Sequence, residues 1–438
     1  MASDPSACHP AWSRAAVIYE INVRQYTPEG TLAALMPHLA RLEELGVDIL
    51  WLMPVQPIGL VNRKGTLGSY YAISDYRAIN PELGTEDDLE SFIDAAHSRG
   101  FRVILDWVAN HTAPDHGWVS AHPDYYERTA DGSLVNARDN EGRVTDWTDV
   151  VELDYRNAAL RQAMIDEMRW WIDRMGIDGF RCDVAGGVPM DFWIEARAAL
   201  EASHAGLFLL AEAEDPKFHA AFDMTYGWEL HRLLNAIAQG KKPTTALDEY
   251  FASDAKRYGA DAYRMYFTSN HDENSWHGSE LERMGANHAP AFILAATVQG
   301  SMPLLYTGQE VSTRKRLRFF EKDTVDWSGV SLAPFYASVF ELKHEQPALA
   351  NGAWGGPQTK LTTDGGDRVY AFTRTRDSNT VLVAVNFADT PVTVSYSGLC
   401  RPGAYIDWFT KASADLGPNG KLDISAHGYR VLGVGSES

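Results

Sequence analysis

Apolar runs alternate with amphipathic stretches along residues 16–346. Eight of the runs have the length and the near-continuous apolar character of strands that are buried on both faces. The stretches between most of them carry apolar residues at helical spacing, and several end in glycine, which often follows the last helical turn. Eight strand and helix units predict a closed (β/α)8 barrel. The strand-like runs are AAVIYEINV, VDILWLMPV, RVILDWV, GFRCDV, LFLLAEA, FDMTYG, YRMYFTS and PLLYTG; the helical stretches include LAALMPHLARLEELG, TEDDLESFIDAAHSRG and LRQAMIDEMRWWIDRMG.

Two parts of the chain depart from this rhythm. A polar insert rich in His, Asp, Trp and Tyr follows the third strand, and a connection of that length is usually a functional loop or a small domain. Near the C-terminus, the short alternating runs RVYAFTRTR, NTVLVAVNFA, PVTVSYSG and YRVLGVG predict an antiparallel β-sandwich. We therefore predict a barrel over residues 12–106 and 156–349, an inserted domain over 107–155, and a C-terminal β-sandwich over 350–438.

Composition and charge narrow the function classes. The formal net charge of -20 argues against binding to nucleic acid or to anionic membranes, which require a basic face. No run of about 18 apolar residues predicts a membrane span, and the first 20 residues lack the pattern of a signal peptide. We expect a cytoplasmic protein, or a periplasmic or secreted one whose signal was removed. The spacing of Cys8, Cys182 and Cys400 predicts neither a disulfide framework nor a structural zinc site.

Ionisable residues concentrate where the predicted strands end. Catalytic groups of (β/α)8 barrels lie at the C-terminal ends of the strands, so residues far apart in the chain converge on one mouth of the barrel. Burial of a charge is unfavourable by several kcal/mol unless the charge is paired, so the Arg and Asp of GFRCDV call for partners from neighbouring strands. The residues at these ends are Asp106, Asn110 and His111 on strand three, Arg181 and Asp183 on strand four, Glu212 on strand five, and His271 and Asp272 on strand seven.

Each of these residues also has a purely structural explanation. Asp106 and Arg181 could form a structural salt bridge, inside or outside an active site. A lone His111 or His271 is more often a hydrogen-bonded core histidine than a catalytic one. Trp107, Trp118 and Trp147 could equally stack on sugars or fill a small core. Carboxylates at the ends of several strands in the same phase nevertheless favour an active site.

The residue types point to acetal chemistry. The metal-binding motif HExxH is absent, whereas glycoside hydrolysis needs one carboxylic acid to protonate the leaving oxygen and a second carboxylate that faces the anomeric carbon. Arg181 beside Asp183 would keep that carboxylate ionised, which suits the nucleophile. Glu212 then remains as the acid, with a pKa raised by the crowding of carboxylates.

These segments resemble a known family. DWVANH, GFRCDV, LLAEAED and FTSNHDEN are similar, in order and spacing, to the four signature regions of the α-amylase family, glycoside hydrolase family 13. GSYYAISDYRAINPELGT and GSMPLLYTGQE match supporting elements of the same family. The resemblance covers essentially the whole chain, including the insert and the C-terminal sandwich.

The resemblance implies roles for individual residues. Asp183 would be the nucleophile, Glu212 the general acid/base, and Asp272 the third carboxylate, which grips sugar hydroxyls and helps to distort the ring. The implied substrate-binding set consists of Tyr71, which would stack on the sugar, His111 and His271, which would hydrogen-bond it, Arg181, which would orient Asp183, and Asp106, which would hold Arg181.

The chain departs from the family pattern in three places. Gly186 and Gly187 stand where many α-amylases carry a Lys-His pair, so the leaving-group subsites should differ from those of a typical endo-acting amylase. Asn110 matches a calcium ligand of the family, but the other ligands in the insert cannot be aligned; the chemistry itself requires no cofactor. The segment NVRQYTPEG lacks the DxNxDG-type loop of many oligo-1,6-glucosidases and trehalose synthases.

The leading hypothesis is a retaining hydrolase that cleaves α-1,4-glucosidic bonds in starch-type glucans or malto-oligosaccharides. The alternative is an α-glucosidase or a transglycosylase with the same covalent intermediate, in which a sugar hydroxyl can replace water. A non-catalytic sugar-binding protein on the same scaffold forms a further class, but such proteins lose catalytic carboxylates and this chain keeps all three. Nucleic acid and membranes are not expected partners, and the sequence does not determine the oligomeric state.

Overall fold

The computed structural model describes residues 9–434. Their first ten strands, in chain order, are β1 Ile18–Ile21, β2 Ile49–Leu52, β3 Arg102–Trp107, β4 His111–Thr112, β5 Val151–Glu152, β6 Gly179–Cys182, β7 Phe208–Ala211, β8 Met224–Tyr226, β9 Tyr263–Phe267 and β10 Ser301–Tyr306. Eight of these strands form a closed barrel in the order β1-β10-β9-β8-β7-β6-β3-β2. Each barrel strand overlaps one of the eight apolar runs, which confirms the predicted (β/α)8 barrel.

Helices connect most of the barrel strands. The stretch over residues 32–46 is interrupted by a 3-10 turn, Met36–His38, because Pro37 cannot continue the α-helical hydrogen-bond ladder. The other two predicted helices run unbroken, and Thr85 caps the first of them through a capping box. The α-helices are α1 Val23–Tyr26, α2 Leu32–Leu35, α3 Leu39–Leu45, α4 Glu86–Ser98, α5 Gly117–Ala121, α6 Ala158–Met175, α7 Met190–Glu201, α8 Trp228–Ala238, α9 Ala246–Arg257, α10 Glu280–Met284, α11 His288–Thr297 and α12 Ala333–Glu345.

The register of the parallel strands brings the charged strand ends together. Asp106 on β3 lies opposite Arg181 on β6, and Cys182 on β6 lies opposite Ala211 on β7. One residue further, the backbone N–H of Glu212 donates to the carbonyl of Cys182. Since alternate residues of a strand face the same side, Arg181 and Asp183 share the side that faces these carboxylates.

The insert after β3 is built around a short antiparallel ribbon of β4 and β5. A small apolar cluster that includes Ala113, Ala137 and Val150 packs beside it, with Trp147 partly buried against it. The cluster also contains Ile58 and Ala72 from the segment after β2, so residues 111–155 share their apolar core with that segment. The exact limits proposed for the inserted domain, 107 and 155, stay a prediction.

The C-terminal region forms two antiparallel sheets, which confirms the predicted sandwich. Its strands are β11 Gln358–Lys360, β12 Thr362–Thr363, β13 Val369–Arg376, β14 Asn379–Asn386, β15 Val392–Ser397, β16 Gly403–Asp407, β17 Ser413–Leu416, β18 Asn419–Ile424 and β19 Tyr429–Val434. One sheet has the order β11-β13-β14-β19-β16-β17 and the other β12-β15-β18. Side chains from both sheets, among them Leu382, Leu422 and Leu432, share one core.

Packing divides the described residues into two compact units. The first holds residues 9–17, 227–316 and 328–434, and the second holds 18–226 together with 317–327. The late segment joins the second unit through Gln25, whose side-chain amide donates to the backbone carbonyls of Arg318 and Glu321. Arg24 donates in the same way to the carbonyl of Phe319.

Two further expectations concern cysteines and membranes. Cys182 is a buried free thiol and Cys400 an exposed one, while Cys8 lies outside the described residues. Within residues 9–434, no helix combines the length and apolar character needed to cross a bilayer.

Candidate active site

The guanidinium of Arg181 contacts three carboxylates at the strand ends. Its Nη1 donates to Oδ1 of Asp106 and to Oδ1 of Asp183, each at 2.8 Å. Its Nη2 lies 3.0 Å from Oε2 of Glu212, an ion pair whose geometry falls short of a hydrogen bond. Its Nε donates to the hydroxyl of Tyr226 at 3.0 Å. One buried cation therefore brings together the two carboxylates that the sequence assigns to acid and nucleophile.

Asp106 is held by more than Arg181. Its Oδ2 accepts hydrogen bonds from the indole N–H of Trp51 at 3.2 Å and from the hydroxyl of Tyr71 at 3.0 Å. With both oxygens engaged and the side chain buried, Asp106 fixes the position of the guanidinium. Sequence reasoning missed Trp51 and Tyr226; the only signal was their place within β2 and at the end of β8.

The electrostatics of Asp183 differ from the sequence-based expectation. Burial raises the pKa of Asp183 well above its ordinary value, and the nearby charge of Glu212 raises it further, while Arg181 lowers it. The expectation that Arg181 would keep Asp183 ionised overlooked burial and the other carboxylates that share the guanidinium.

Glu212 is positioned by the backbone of the neighbouring strand end. Its Oε2 accepts the N–H of Val184 at 2.8 Å. Val184 has φ 41°, in the left-handed region, which a β-branched residue rarely adopts and which signals strain next to a functional group. The backbone at Val184 thus turns sharply just after Asp183 and presents its N–H to Glu212.

His111 and Tyr71 lie in the same unit as these residues. Nε2 of His111 is 4.0 Å from Oδ2 of Asp183. Burial lowers the pKa of His111 to about 3, against a backbone hydrogen bond with Tyr71 that raises it, so the imidazole is neutral near pH 7. Tyr71 is 8% exposed, and its ring stacks near Phe319 at a centroid distance of 6.2 Å. Its contact with a sugar stays a prediction.

His271 and Asp272 belong to the other compact unit. His271 is buried, Asp272 is 32% exposed, and Nε2 of His271 lies 3.4 Å from Oδ2 of Asp272. A π-helical turn, Glu273–His277, follows directly, and such turns often mark functional sites. The convergence of Asp272 with Asp183 and Glu212 on one sugar ring stays a prediction.

A half-buried acid that sequence reasoning missed anchors this π-helical turn. Burial raises the pKa of Glu273, but hydrogen bonding and ion pairing with His231, together with Arg283 and His277, lower it to about 2. Its Oε2 lies 3.0 Å from Nε2 of His231. Glu273, the residue after Asp272, is therefore ionised and holds the π-helical turn in place.

Gly186 and Gly187 lie against asparagines of the insert segment. The N–H of Gly186 donates to Oδ1 of Asn140 at 2.8 Å, and a Cβ at this position would meet the same side chain at 2.6 Å. A Cβ at Gly187 would lie 2.3 Å from Oδ1 of Asn110. Larger side chains do not fit here, which gives a physical reason for the departure from the family's Lys-His pair.

For only one of the three tryptophans considered above does burial decide between sugar stacking and a place in the core. Trp107 is fully buried and packs against Tyr76 and Phe180, so it is a core residue. Trp118 packs edge-on against Tyr125. Trp147 packs edge-on against His111 at a centroid distance of 6.1 Å.

Calcium binding near Asn110 stays a prediction. Oδ1 of Asn110 is buried without a hydrogen-bond partner, while its Nδ2 donates to the carbonyl of Arg138 at 2.9 Å. Calcium takes six to eight oxygen ligands from carboxylates, carbonyls and waters. Among the residues from 9 to 434, no group of three or more His, Cys, Asp or Glu side chains could hold a metal ion.

Comparison with known proteins assigns the family. The family model of the α-amylase catalytic domain matches residues 5–331, and that of the α-amylase C-terminal all-beta domain matches residues 361–430. The chain belongs to the α-amylase family. It is therefore an enzyme of that family, and the predicted resemblance is confirmed.

Individual relatives differ in activity. The α-amylase MalA of Haloarcula japonica is 32% identical over 402 residues, which cover 88% of this chain and 57% of that protein. An α-1,4-glucan:maltose-1-phosphate maltosyltransferase of Salinibacter ruber is 29% identical over 381 residues, covering 78% of this chain and 55% of that protein. The crystal structure of an α-amylase from Lactobacillus plantarum superposes with a TM-score of 0.86 at 30% identity, covering 97% of this chain and all of that one. The chain thus spans little more than half the length of these two curated relatives.

Proposed function

We propose that this protein is a retaining glycoside hydrolase that cleaves α-1,4-glucosidic bonds in starch-type glucans or malto-oligosaccharides. The observation that carries the proposal is the contact of one guanidinium, that of Arg181, with both Asp183 and Glu212. Retaining enzymes need two carboxyl groups about 5–5.5 Å apart, on either side of one glycosidic bond. The shared guanidinium holds the two carboxylates near each other, which supports the proposal.

The proposed reaction runs in two steps on this pair. Glu212 donates its proton to the leaving glycosidic oxygen while Asp183 attacks the anomeric carbon and forms a glycosyl ester. Glu212, now a carboxylate, takes a proton from water, which attacks the same carbon and releases Asp183. The proposed reaction thus needs Glu212 protonated and Asp183 ionised at the start.

The other predicted residues have supporting roles. Arg181, fixed by Asp106, orients Asp183 and compensates its charge. His111, neutral because of burial, donates a hydrogen bond to the sugar, and Tyr71 closes the pocket over it. Asp272 and His271 would grip sugar hydroxyls from the end of β9. Because the two carboxylates supply both the nucleophile and the proton, this chemistry requires no cofactor.

A second candidate is a transglycosylase or α-glucosidase with the same covalent intermediate. The similarity to a maltosyltransferase supports this second candidate. In that case a sugar hydroxyl or a phosphate oxygen attacks the glycosyl ester in place of water. Gly186 and Gly187 remove the side chains that the family often places on the leaving-group side, so an acceptor could be seated differently there.

The discriminating experiment follows the products formed from maltoheptaose. Shorter maltodextrins alone, released first as the α-anomer in proton NMR, are expected for a retaining hydrolase. Products longer than the substrate would show transglycosylation, and sugar phosphates formed when inorganic phosphate is added would show transfer to phosphate. An initial β-anomer would overturn the retaining mechanism. The Asp183→Asn variant serves as the blank.

A further inference from the structure

Residues just before and just after His271 and Asp272 in the chain line part of a small cavity. Its volume is about 10 Å³, and it is lined by residues that follow β9 and β10 and by the start of α10. A cavity of this size holds one water molecule or one small ion and nothing larger. No role in the proposed reaction uses it.

Three side-chain oxygens that line this cavity have no hydrogen-bond partner. They are Oγ of Ser269, Oε1 of Glu280 and Oγ1 of Thr313. Ser269 is 1% exposed and Glu280 is 4% exposed, so bulk water does not satisfy them. Buried polar atoms are nearly always paired in folded proteins. Three orphaned oxygens around one space therefore indicate a missing ligand that binds oxygen.

The charge of Glu280 indicates the sign of that ligand. Its Oε2 accepts a hydrogen bond from the hydroxyl of Tyr336 at 3.0 Å, and within the described residues it forms no ion pair. The nearby Arg283 directs its donors to the carbonyls of Gly278 and Thr268 and to Asn235. A buried carboxylate without an ion pair is unfavourable, so a cation in the cavity would be stabilised.

We propose that the cavity binds a single monovalent cation of the size of sodium through Ser269, Glu280 and Thr313. The donor set of one carboxylate and two hydroxyls suits a hard cation with oxygen ligands. A divalent ion would require more carboxylates, and in the described part of the chain no group of three or more His, Cys, Asp or Glu side chains could hold a metal ion. A water molecule would satisfy the hydroxyls but leave Glu280 without an ion pair, its charge compensated in part by the electrostatic interaction with Arg283.

The cation would tie together three segments that are distant in sequence. Ser269 follows β9, Glu280 is the first residue of α10, and Thr313 follows the 3-10 turn Gln309–Val311. Ser269 precedes Asp272 by three residues. The bound ion would therefore restrain the strand end that carries Asp272, whether the enzyme hydrolyses or transfers.

Thermal unfolding of the full chain in NaCl and in choline chloride at equal ionic strength tests the proposal. Because a ligand that binds only the folded state raises Tm with its concentration, the wild type should gain several degrees in NaCl beyond the choline control. Glu280→Gln should abolish this sodium-specific gain. Glu282→Gln, two residues along the same helix in an exposed ion pair with Arg316, should keep it.

Two further measurements keep the test decisive if Glu280→Gln does not fold. Ser269→Ala removes one ligand and should move the midpoint of the sodium response to higher concentration. A crystal structure grown in NaCl should show density with oxygen contacts shorter than hydrogen bonds. A wild-type response that is equal in both salts, or density at ordinary hydrogen-bond distances, would mean a structural water only and would overturn the proposal.

Discussion

The backbone N–H of Val184 donates a 2.8 Å hydrogen bond to the carboxylate of Glu212. Val184 makes this bond with φ 41°, a conformation that is strained for a β-branched side chain. The strain lies between the residue proposed as nucleophile, Asp183, and the one proposed as acid. It persists because the surrounding contacts of Asp183 and Glu212 determine the backbone there.

This relationship predicts an inverted order of stability at position 184. A glycine normally makes the folded protein less stable than an alanine at the same position does. In the left-handed region, however, glycine avoids the clash of Cβ with the backbone, which costs about 1–2 kcal/mol. We therefore expect Val184→Gly to be more stable than Val184→Ala by roughly 1 kcal/mol, as measured by urea unfolding. The same pair of substitutions at Val188, which has an ordinary φ of -96°, should show the usual order. Equal stabilities at 184 would contradict the strain.

The proposed roles of Asp183 and Glu212 predict different substrate dependences. Asp183→Asn should lose turnover on every substrate, by at least about a thousandfold, because the nucleophile is absent. Glu212→Gln should lose about 10²–10⁴-fold on malto-oligosaccharides. With α-glucosyl fluoride, the rate of the first step in Glu212→Gln should fall far less, because fluoride leaves without a proton. The measurement is a burst of fluoride release.

A matched control separates these effects from charge loss alone. Asp191→Asn removes a carboxylate that is exposed and paired with Arg161, and it should leave kcat unchanged. Equal losses on both substrates for Glu212→Gln would contradict its assignment as the acid.

The charge of Asp106 predicts a shift in the pH profile. Asp106 raises the pKa of Asp183, alongside the larger effects of burial and Glu212. Asp106→Asn should therefore move the acid limb of kcat/KM to lower pH, because the carboxylate pair ionises more easily. Loss of a buried ion-pair partner of Arg181 should also lower the free energy of unfolding by about 3–5 kcal/mol. An unchanged acid limb would mean that Asp106 acts only structurally.

The raised pKa of Glu152 predicts that the free energy of unfolding depends on pH, independently of catalysis. Burial raises its pKa from 4.5 to about 8, against the N–H of Arg138, which lowers it. Between these values the folded state binds more protons than the unfolded state, so stability falls as pH rises, by up to about 1.4 kcal/mol per pH unit. Glu152→Gln keeps an acceptor for Arg138 and should be more stable than the wild type at pH 8. The readout is Tm from pH 5 to pH 8.

A control shows whether the slope belongs to Glu152. Glu141→Gln changes an exposed acid of the same insert segment and should leave the pH dependence of Tm unaltered. If Glu152→Gln retains the wild-type slope, the group responsible lies elsewhere.

The contact of Gly187 with Asn110 predicts a compensating pair of substitutions. Gly187→Ala would place Cβ 2.3 Å from Oδ1 of Asn110, and overpacking of this kind destabilises by about 1–3 kcal/mol. Asn110→Ala should relieve the clash, so the double variant should show a favourable coupling in a double-mutant cycle. Gly117→Ala, where a Cβ meets nothing within 4 Å, is the neutral control. Additive losses would contradict the contact.

The barrel was predictable because each of its strands is a nearly continuous apolar run. The sandwich was predictable only in part: β11 and β12 were missed because they are only three and two residues long, and β16, β17 and β18 because they are short and alternate buried with exposed positions. The pairing of Asp106 with Arg181 was expected from opposite charges at neighbouring strand ends and from the family resemblance. The bonds of Trp51 and Tyr226 to this pair depend on side-chain conformations across the barrel, which no sequence pattern encodes.

The electrostatics of the site marked the limit of sequence reasoning. Arg181 was expected to keep Asp183 ionised, but the burial and the crowding that raise the pKa of Asp183 depend on three-dimensional packing. The left-handed backbone of Val184 had no signal either, since valine is a common strand residue. Motif spacing thus located the carboxylates without indicating how burial changes the pKa of Asp183.

The side chain of Gln25 makes it hard to divide the protein into fragments that fold on their own. Its amide is satisfied by carbonyls near residue 320, almost 300 positions later in the chain. A nascent chain that has passed Tyr226 still holds Gln25 without those partners, and a fragment ending there would expose a polar group that the full chain buries. Completion of this unit must therefore wait until the ribosome has also made residues 227–316 of the other unit.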